Sequence, residues 1–186
     1  MELIVILGLI VGVVLLFIVL YNRIIALKET RKNAFSDIDV QLKQRHDLIP
    51  NLVNTVKGYA AHESDLLQRV TDARANAMRQ SSIDDKVSAE GTLGAAMMQL
   101  LAVAENYPDL KADQNFRQLQ DEISDVENKI AAARRFFNNA TNEYNTAIQQ
   151  FPAVLVARSF NFNEENFFEM APAEKEIAEQ PPAVEF

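Results

Sequence analysis

Two histidines, each followed by an acidic residue, come closest in this chain to a metal-binding or catalytic pattern. They are His46, followed by Asp47, and His62, followed by Glu63. A zinc-protease pattern needs two histidines four residues apart on one helical face, with a glutamate between them. Neither histidine has a second one nearby, and a helix break predicted at Pro50 separates the two. We therefore interpret them as surface or bundle-end polar contacts and predict no metal site.

Charged residues on two predicted helices could supply a pair of carboxylates for general acid–base catalysis. Nothing in their spacing directs two of them at one point, so we interpret them as interhelical salt bridges and hydrogen bonds that fix helix register. The chain also lacks cysteine, a glycine-rich phosphate loop and a Gly-x-Ser-x-Gly elbow. We predict no catalytic residue, no cofactor-binding residue and no cofactor, and hence no enzyme. The charged residues are Asp37, Asp39, Arg45 and Asp47 on the first helix and Glu122, Glu127 and Arg134 on the long one.

The element that must position these groups is a long helix predicted over residues 113–151. Its apolar residues recur in alternating steps of three and four, which is the heptad pattern of a helix that packs along one seam. A single helix cannot bury its own apolar stripe, so partner helices are required. The seam residues are Phe116, Leu119, Ile123, Val126, Ile130, Ala133, Phe137, Ala140, Tyr144, Ala147 and Phe151.

The rest of the soluble chain has the patterns of those partner helices. Helical spacing runs up to Pro50, where we predict a kink or break near residues 48–50, and it resumes over residues 52–77. Ser82 is predicted to cap a further helix above two aspartates. In that helix we interpret Met97 and Met98 as core residues, with a groove for a partner helix as the alternative.

Turn-forming residues and proline predict the remaining helix boundaries. A turn is predicted over residues 106–109, and Pro152 should end the long helix because the residue before a proline is pushed out of helical geometry. Residues 153–160 are predicted to form a short helix or turn. The resulting fold class is all-α: an antiparallel bundle of three or four long helices behind an amino-terminal apolar helix.

That amino-terminal helix is predicted to be a membrane anchor. Residues 3–20 form an uninterrupted apolar run. Its length of roughly 18 residues is near the lower limit for crossing a bilayer core. Tyr21, which follows it, suits the membrane interface. A cleaved signal peptide is the alternative, but it needs a basic start and a small-residue cleavage site. The start carries Glu2 instead, and no such site follows Tyr21, so we favour an uncleaved single-pass anchor spanning residues 1–21.

Basic residues follow the anchor and predict its orientation. Arg23, Lys28, Arg31 and Lys32 outnumber Glu29, which by the positive-inside rule places the carboxyl-terminal side in the cytoplasm. Contact of these charges with anionic lipid headgroups is a second interpretation. Within the anchor, Gly8 and Gly12 have the spacing of a close-packed helix dimer, although glycine is common in membrane helices.

The carboxyl-terminal tail, residues 161–186, is acidic and aromatic at first and then rich in proline, alanine and glutamate. From residue 171 onward its composition predicts disorder. Residues 151–186 hold seven acidic and two basic side chains, so this end of the chain carries most of the net charge of −8. A negative chain argues against nucleic acid as a partner.

The domain between anchor and tail, residues 22–160, contains several distinctive segments: residues 33–53, 55–60, 131–138, 142–145 and 151–152. Together these segments resemble the LemA family. The resemblance extends from the anchor to about residue 168 and leaves the acidic tail outside. It implies a bacterial single-pass membrane protein with a helical-bundle domain, no established enzymatic activity and a relation to a magnetosome membrane protein.

Two functions fit this architecture. The first is a non-enzymatic scaffold in the bacterial inner membrane that self-associates and organises membrane lipid or partner proteins. The second is an adaptor whose acidic, aromatic tail captures a membrane protease or transporter. We favour the first, and expect a homo-oligomer.

Overall fold

The computed structural model describes residues 1–168, and every regular element in this part of the chain is an α-helix. The sequence-based prediction of an all-α protein is therefore confirmed, with no strand among the described residues. The tail predicted to be disordered from residue 171 lies outside the described residues. The six helices are α1 (Glu2–Tyr59), α2 (Ser64–Ala77), α3 (Ile83–Ala104), α4 (Pro108–Ala112), α5 (Gln114–Gln149) and α6 (Ala153–Ser159).

The helices contribute to two compact units. The first unit comprises Met1–Asp39 and Ala132–Phe167, and the described part of the second comprises Val40–Ala131 and Phe168. Because α1 and α5 are both long, each contributes residues to both units.

In the first unit, the chain of α1 runs antiparallel to the chain of α5. The Phe35 and Phe137 rings lie 5.6 Å apart, and Arg31 donates from Nε to the Thr141 hydroxyl at 3.1 Å. Further toward the amino terminus, Ile24 shares a buried cluster with Tyr144, Ile148, Val156 and Ala157. Residues later in α5 therefore contact residues correspondingly earlier in α1, which is an antiparallel register.

The second unit has its own apolar core. α2 and α3 pack together, and apolar residues of α1, α4 and α5 join them in one buried cluster. The heptad seam of α5 supplies apolar residues to the cores of both units. Every seam residue is buried or half-buried except Phe151, which is 80 % exposed beyond the end of the helix.

Of the kink or break predicted near residues 48–50, the break is wrong, because α1 continues through Pro50 to Tyr59. Proline lacks an amide hydrogen, so the carbonyl four residues earlier, that of His46, loses its helical donor. Arg74 of α2 donates from Nε to that same carbonyl at 2.6 Å. A side chain from another helix therefore replaces the missing hydrogen bond, and the chain turns only after Tyr59.

The other predicted boundaries agree with the structure more closely. The Ser82 hydroxyl accepts a hydrogen bond from the Asp85 amide and caps α3, as predicted. α5 ends at Gln149, just before the cis Phe151–Pro152 bond, and α6 fills the segment predicted as a short helix or turn. The chain turns at Glu105 and Asn106, so the turn predicted over residues 106–109 overlaps the start of α4 at Pro108.

Among the described residues, two helices are long and apolar enough to cross a membrane. In α1 the apolar window near the amino terminus has no buried share, and its large side chains from Leu3 to Val19 are exposed. In α3 the corresponding window is 39 % buried, and it supplies Leu93, Met97 and Leu100 to the core of the second unit. The start of α1 is therefore the candidate span, and we assign α3 to the core.

Replacing Arg74 by methionine tests how Pro50 is accommodated. We expect Arg74→Met to lower the free energy of unfolding by about 2 kcal/mol, since a charge-assisted bond to a buried carbonyl is lost. In a Pro50→Ala background residue 50 regains its amide hydrogen and can satisfy the His46 carbonyl, so the same change should cost about 1 kcal/mol less. Urea denaturation of the four full-length variants, followed by circular dichroism, measures both values. Equal costs in the two backgrounds would contradict this account.

Candidate functional site

The second unit contains one convergent group of charged side chains, contributed by three helices. Arg45 and His46 come from α1, Glu90 from α3 and Glu127 from α5. Glu90 occupies a core position of α3, because it continues at helical spacing the buried stripe Leu93, Met97, Leu100 and Ala104. We refer to Arg45, His46, Glu90 and Glu127 as the ionic cluster.

Arg45 is the centre of the ionic cluster. Its Nη1 atom donates to Glu127 Oε1 at 2.7 Å, and its Nη2 atom donates to Glu90 Oε2. His46 Nε2 lies 2.8 Å from Glu90 Oε1, an ion pair only when the imidazole is protonated, and the two atoms are not aligned as a linear hydrogen bond. Arg45 and Glu90 are 2 % and 1 % exposed, so the guanidinium joins a buried carboxylate to a half-exposed one.

The charges of the cluster stabilise one another. Burial opposes the charged form of Glu90, but the nearby His46 and the Arg45 charge outweigh it, so the pKa of Glu90 is lowered. Burial likewise opposes the charge of Arg45, and the carboxylates of Glu127 and Glu90 outweigh it, so the pKa of Arg45 is raised. Arg45, Glu90 and Glu127 are therefore mutually paired ions.

The cluster does not satisfy every polar atom around it. Arg45 Nε and Gln41 Oε1, one turn apart on α1, are buried without a hydrogen-bond partner among the described residues. An unsatisfied buried polar group costs about 1–3 kcal/mol. An apolar filling of this space would avoid that cost, so the cluster is not the most stable way to pack the three helices.

The structure separates the two histidines considered as metal ligands. His46 lies in the ionic cluster, whereas His62 is exposed in the turn between α1 and α2. There it lines an open cleft of about 390 Å³ with Glu63, Asp65 and Arg69. Within residues 1–168, no group of three or more histidine, cysteine, aspartate or glutamate side chains could hold a metal ion.

Among the charged residues considered as acid–base candidates, Arg45 and Glu127 are joined between helices by an ion pair. Asp47 lies on the exposed side of α1 and pairs with Lys43 at 2.8 Å. Glu122 accepts a hydrogen bond from Gln118 on its own helix. Glu90 was not among the candidates, although a lone carboxylate within the apolar stripe of α3 is a signal that could have identified it.

The first unit has a buried cation of its own, Arg31. One Nη atom pairs with Glu165 at 3.1 Å, the other donates to the Asn166 carbonyl at 3.0 Å, and the guanidinium carbon lies 4.8 Å from the centre of the Phe137 ring. The sequence predicts that Arg31, like the other basic residues after the anchor, determines membrane topology or contacts lipid headgroups. Arg31 instead holds the segment after α6 against the first unit.

Asn145 fixes the same segment through two backbone hydrogen bonds. Its side-chain amide donates to the Glu165 carbonyl, and its side-chain oxygen accepts from the Glu165 amide, both at 2.9 Å. The start of the predicted tail is therefore bound by α1 and α5 in this unit.

The described residues define a class: an all-helical protein with an amino-terminal candidate membrane span and a buried ionic cluster. Within that class, the chain belongs to the LemA family, whose model matches residues 34–186. This confirms the resemblance seen in the sequence. The match leaves the anchor outside and includes the acidic tail, which we had expected to lie beyond the family's limit.

Characterised relatives are similar at low identity. The magnetosome protein MamQ of Magnetospirillum gryphiswaldense is 25 % identical over 179 residues, covering 82 % of this chain and 66 % of the relative. The protein LemA of Metamycoplasma hominis is 27 % identical over 149 residues, covering 77 % of this chain and 66 % of the relative. The chain thus spans slightly less than two thirds of the length of these relatives.

Replacing Glu90 by glutamine tests the energetic role of the cluster. The change leaves Arg45 buried with only the half-exposed Glu127 as a charged partner, and we expect a loss of about 3 kcal/mol in the free energy of unfolding. Asp47→Asn is a matched control on α1, since it removes a carboxylate from an exposed pair, and its denaturation midpoint should stay close to that of the unmodified chain. Urea denaturation near pH 7 measures both.

The same variant has a defined pH dependence. Because the pKa of Glu90 is lower in the folded chain, its stabilising effect is present above the unfolded glutamate pKa and is lost as pH falls through the folded value. The stability difference between the unmodified chain and Glu90→Gln should therefore shrink as pH falls from about 6 to about 3. A difference that stays constant over this range would show that Glu90 does not act through its charge.

Proposed function

We propose that the protein is a non-enzymatic, membrane-anchored helical scaffold that self-associates and organises membrane or partner proteins. The observation that carries this proposal is the construction of α1. Its apolar, fully exposed start continues as one helix into residues that pack in the core of the first unit, beginning at Ile24. This segment has no polar face, so its apolar side chains would contact water in solution. A bilayer would cover them.

The same proposal includes a placement in the cell. Arg23, Lys28 and Lys32 lie just past the apolar segment and remain on the exposed side of α1. With these charges on the cytoplasmic side, the protein is a single-pass protein of the bacterial inner membrane whose helical domain is cytoplasmic. The helices of its domain then form an antiparallel bundle.

The absence of an enzymatic activity is also part of the proposal. It is supported by the ionic cluster, in which the buried carboxylate of Glu90 is already occupied by Arg45 and His46. A catalytic carboxylate must instead reach a substrate. Glu122→Gln and His62→Ala are the informative variants should any hydrolytic activity be detected.

Self-association is supported by the small-residue face of the anchor. Gly8 and Gly12 lie one turn apart, and a Cβ atom added at either position would meet nothing within 4 Å. The face is therefore open for a second helix to approach closely. The relative named as a magnetosome protein supports membrane organisation as the broader role of this scaffold.

Sizing the full chain in lipid nanodiscs tests the scaffold proposal. We expect particles that contain more than one copy. Gly8→Ile should raise the dissociation constant about tenfold, a loss of about 1.4 kcal/mol, because the larger side chain prevents the close helix approach that small residues permit. Ile10→Phe adds bulk on the opposite side of the same helix and should leave the association unchanged. A strictly monomeric particle, with the anchor intact and lipid present, would contradict self-association.

A second candidate function, an adaptor that uses its tail, is favoured by the way the tail begins. Arg31 and Asn145 hold residues 165 and 166 in place, so the described chain has a fixed position immediately before the tail. A tail presented in this way could capture a membrane protease or transporter.

Deleting residues 169–186 tests the adaptor function while retaining the contacts of Glu165. We expect the set of proteins captured from membranes to lose its specific members, because the acidic segment that would bind them is gone. Capture by the full chain, by the truncated chain and by the Arg31→Met variant can be compared by mass spectrometry. An unchanged set after truncation would refute the adaptor.

A further inference from the structure

The corner where α5 passes into α6 exposes large apolar side chains. Phe151 is 80 % exposed, Leu155 48 % and Phe160 56 %. Their neighbours Val156 and Ala157 are buried in the first unit, so α6 has an inner apolar face that packs on the protein and an outer side that exposes Leu155. We call Phe151, Leu155 and Phe160 the apolar corner.

The register of α5 against α1 locates the corner relative to the anchor. Phe137 is opposite Phe35, Thr141 is opposite Arg31, and Ile148 packs with Ile24. Continuing that register places Phe151 level with Tyr21, where the exposed apolar segment of α1 ends. The chain reaches the predicted membrane surface just as α5 ends.

Ring contacts confirm the position of the corner beside Tyr21. The Phe160 ring centre lies 4.8 Å from that of Tyr21, and the Phe162 ring centre lies 5.8 Å from it. Asn161 adopts a positive φ of 54° between them, a conformation that asparagine tolerates better than most residues. This turn directs the chain back along α1, so the corner is its closest approach to the anchor.

We propose that the apolar corner inserts into the bilayer interface and is a second membrane contact of this protein. This inference rests on the proposed anchoring by the start of α1. An apolar helix face at the level of the lipid headgroups would bury its side chains at the acyl boundary, as interfacial helices do. Arg158 on α6 and Lys28 on α1, whose ammonium lies 5.9 Å from the Phe162 ring centre, supply charges suited to anionic headgroups.

A second contact would restrict the orientation of the first unit. A single helix can tilt and rotate freely about its crossing point, whereas a helix with an additional contact beside it cannot. The corner thus fixes how a scaffold presents its helices above the membrane. A bilayer is favoured over a protein as the occupant because the corner is level with the end of the span in the same unit.

The chain contains no tryptophan, so single-tryptophan variants report one position each. Phe151→Trp and Leu155→Trp place the probe at the corner, where exposed side chains leave room for the larger ring. Phe136→Trp is the matched control, since Phe136 is 52 % exposed on α5 but about 22 Å further from the anchor than Phe151. Phe17→Trp reports on the anchor itself. The full-length variants are placed in nanodiscs of phosphatidylcholine and phosphatidylglycerol, with or without lipids brominated near the headgroup.

We expect brominated lipid to quench Phe151→Trp and Leu155→Trp at least twofold and to leave Phe136→Trp unchanged. Corner probes that match Phe136→Trp while Phe17→Trp is quenched would overturn the inference and leave the anchoring intact. Blue-shifted but unquenched corner probes would also overturn it, because they would indicate cover by a second copy of the chain. An unquenched Phe17→Trp would show instead that the proposed anchoring has failed.

Discussion

The pairing of Arg45 with two carboxylates is the interaction on which the second unit depends most. Moving a guanidinium and a carboxylate out of water carries a desolvation penalty of several kcal/mol per ion, which only well-placed partners offset. Arg45 meets this condition by reaching Glu90 on α3 and Glu127 on α5 from its place on α1. A slip of any of these helices by one turn would leave a buried charge without a partner. The cluster therefore defines helix register more sharply than apolar packing alone would.

The same part of α1 contains a backbone carbonyl that needs a hydrogen-bond donor from another helix. Pro50 frees the His46 carbonyl, and Arg74 of α2 takes the place of the missing amide. His46 thus contributes its imidazole to the cluster and its carbonyl to α2, so one residue of α1 connects it by polar contacts to α2 and α3. A helix that would bend or end in isolation stays continuous because the neighbouring helix satisfies its backbone.

The first unit uses one arginine in a comparable way, but for a different purpose. Arg31 spans from the Phe137 ring and the Thr141 hydroxyl to the segment after α6. Together with Asn145 it fixes the path of the chain as it leaves the first unit. The polar residues of both units thus hold backbone and helices in place.

The sequence by itself determined the helical class, the seam of α5, the cap at Ser82 and the candidate span, because each depends on residues three or four apart within one helix. Only the tertiary structure decided that Glu90 joins Arg45, that Pro50 leaves α1 unbroken and that Arg31 is buried. Each of these depends on a partner on another helix or on the segment after α6, distant in sequence. Periodicity shows which face of a helix is buried, but the partner of a polar side chain on that face is set by the register of the packed helices.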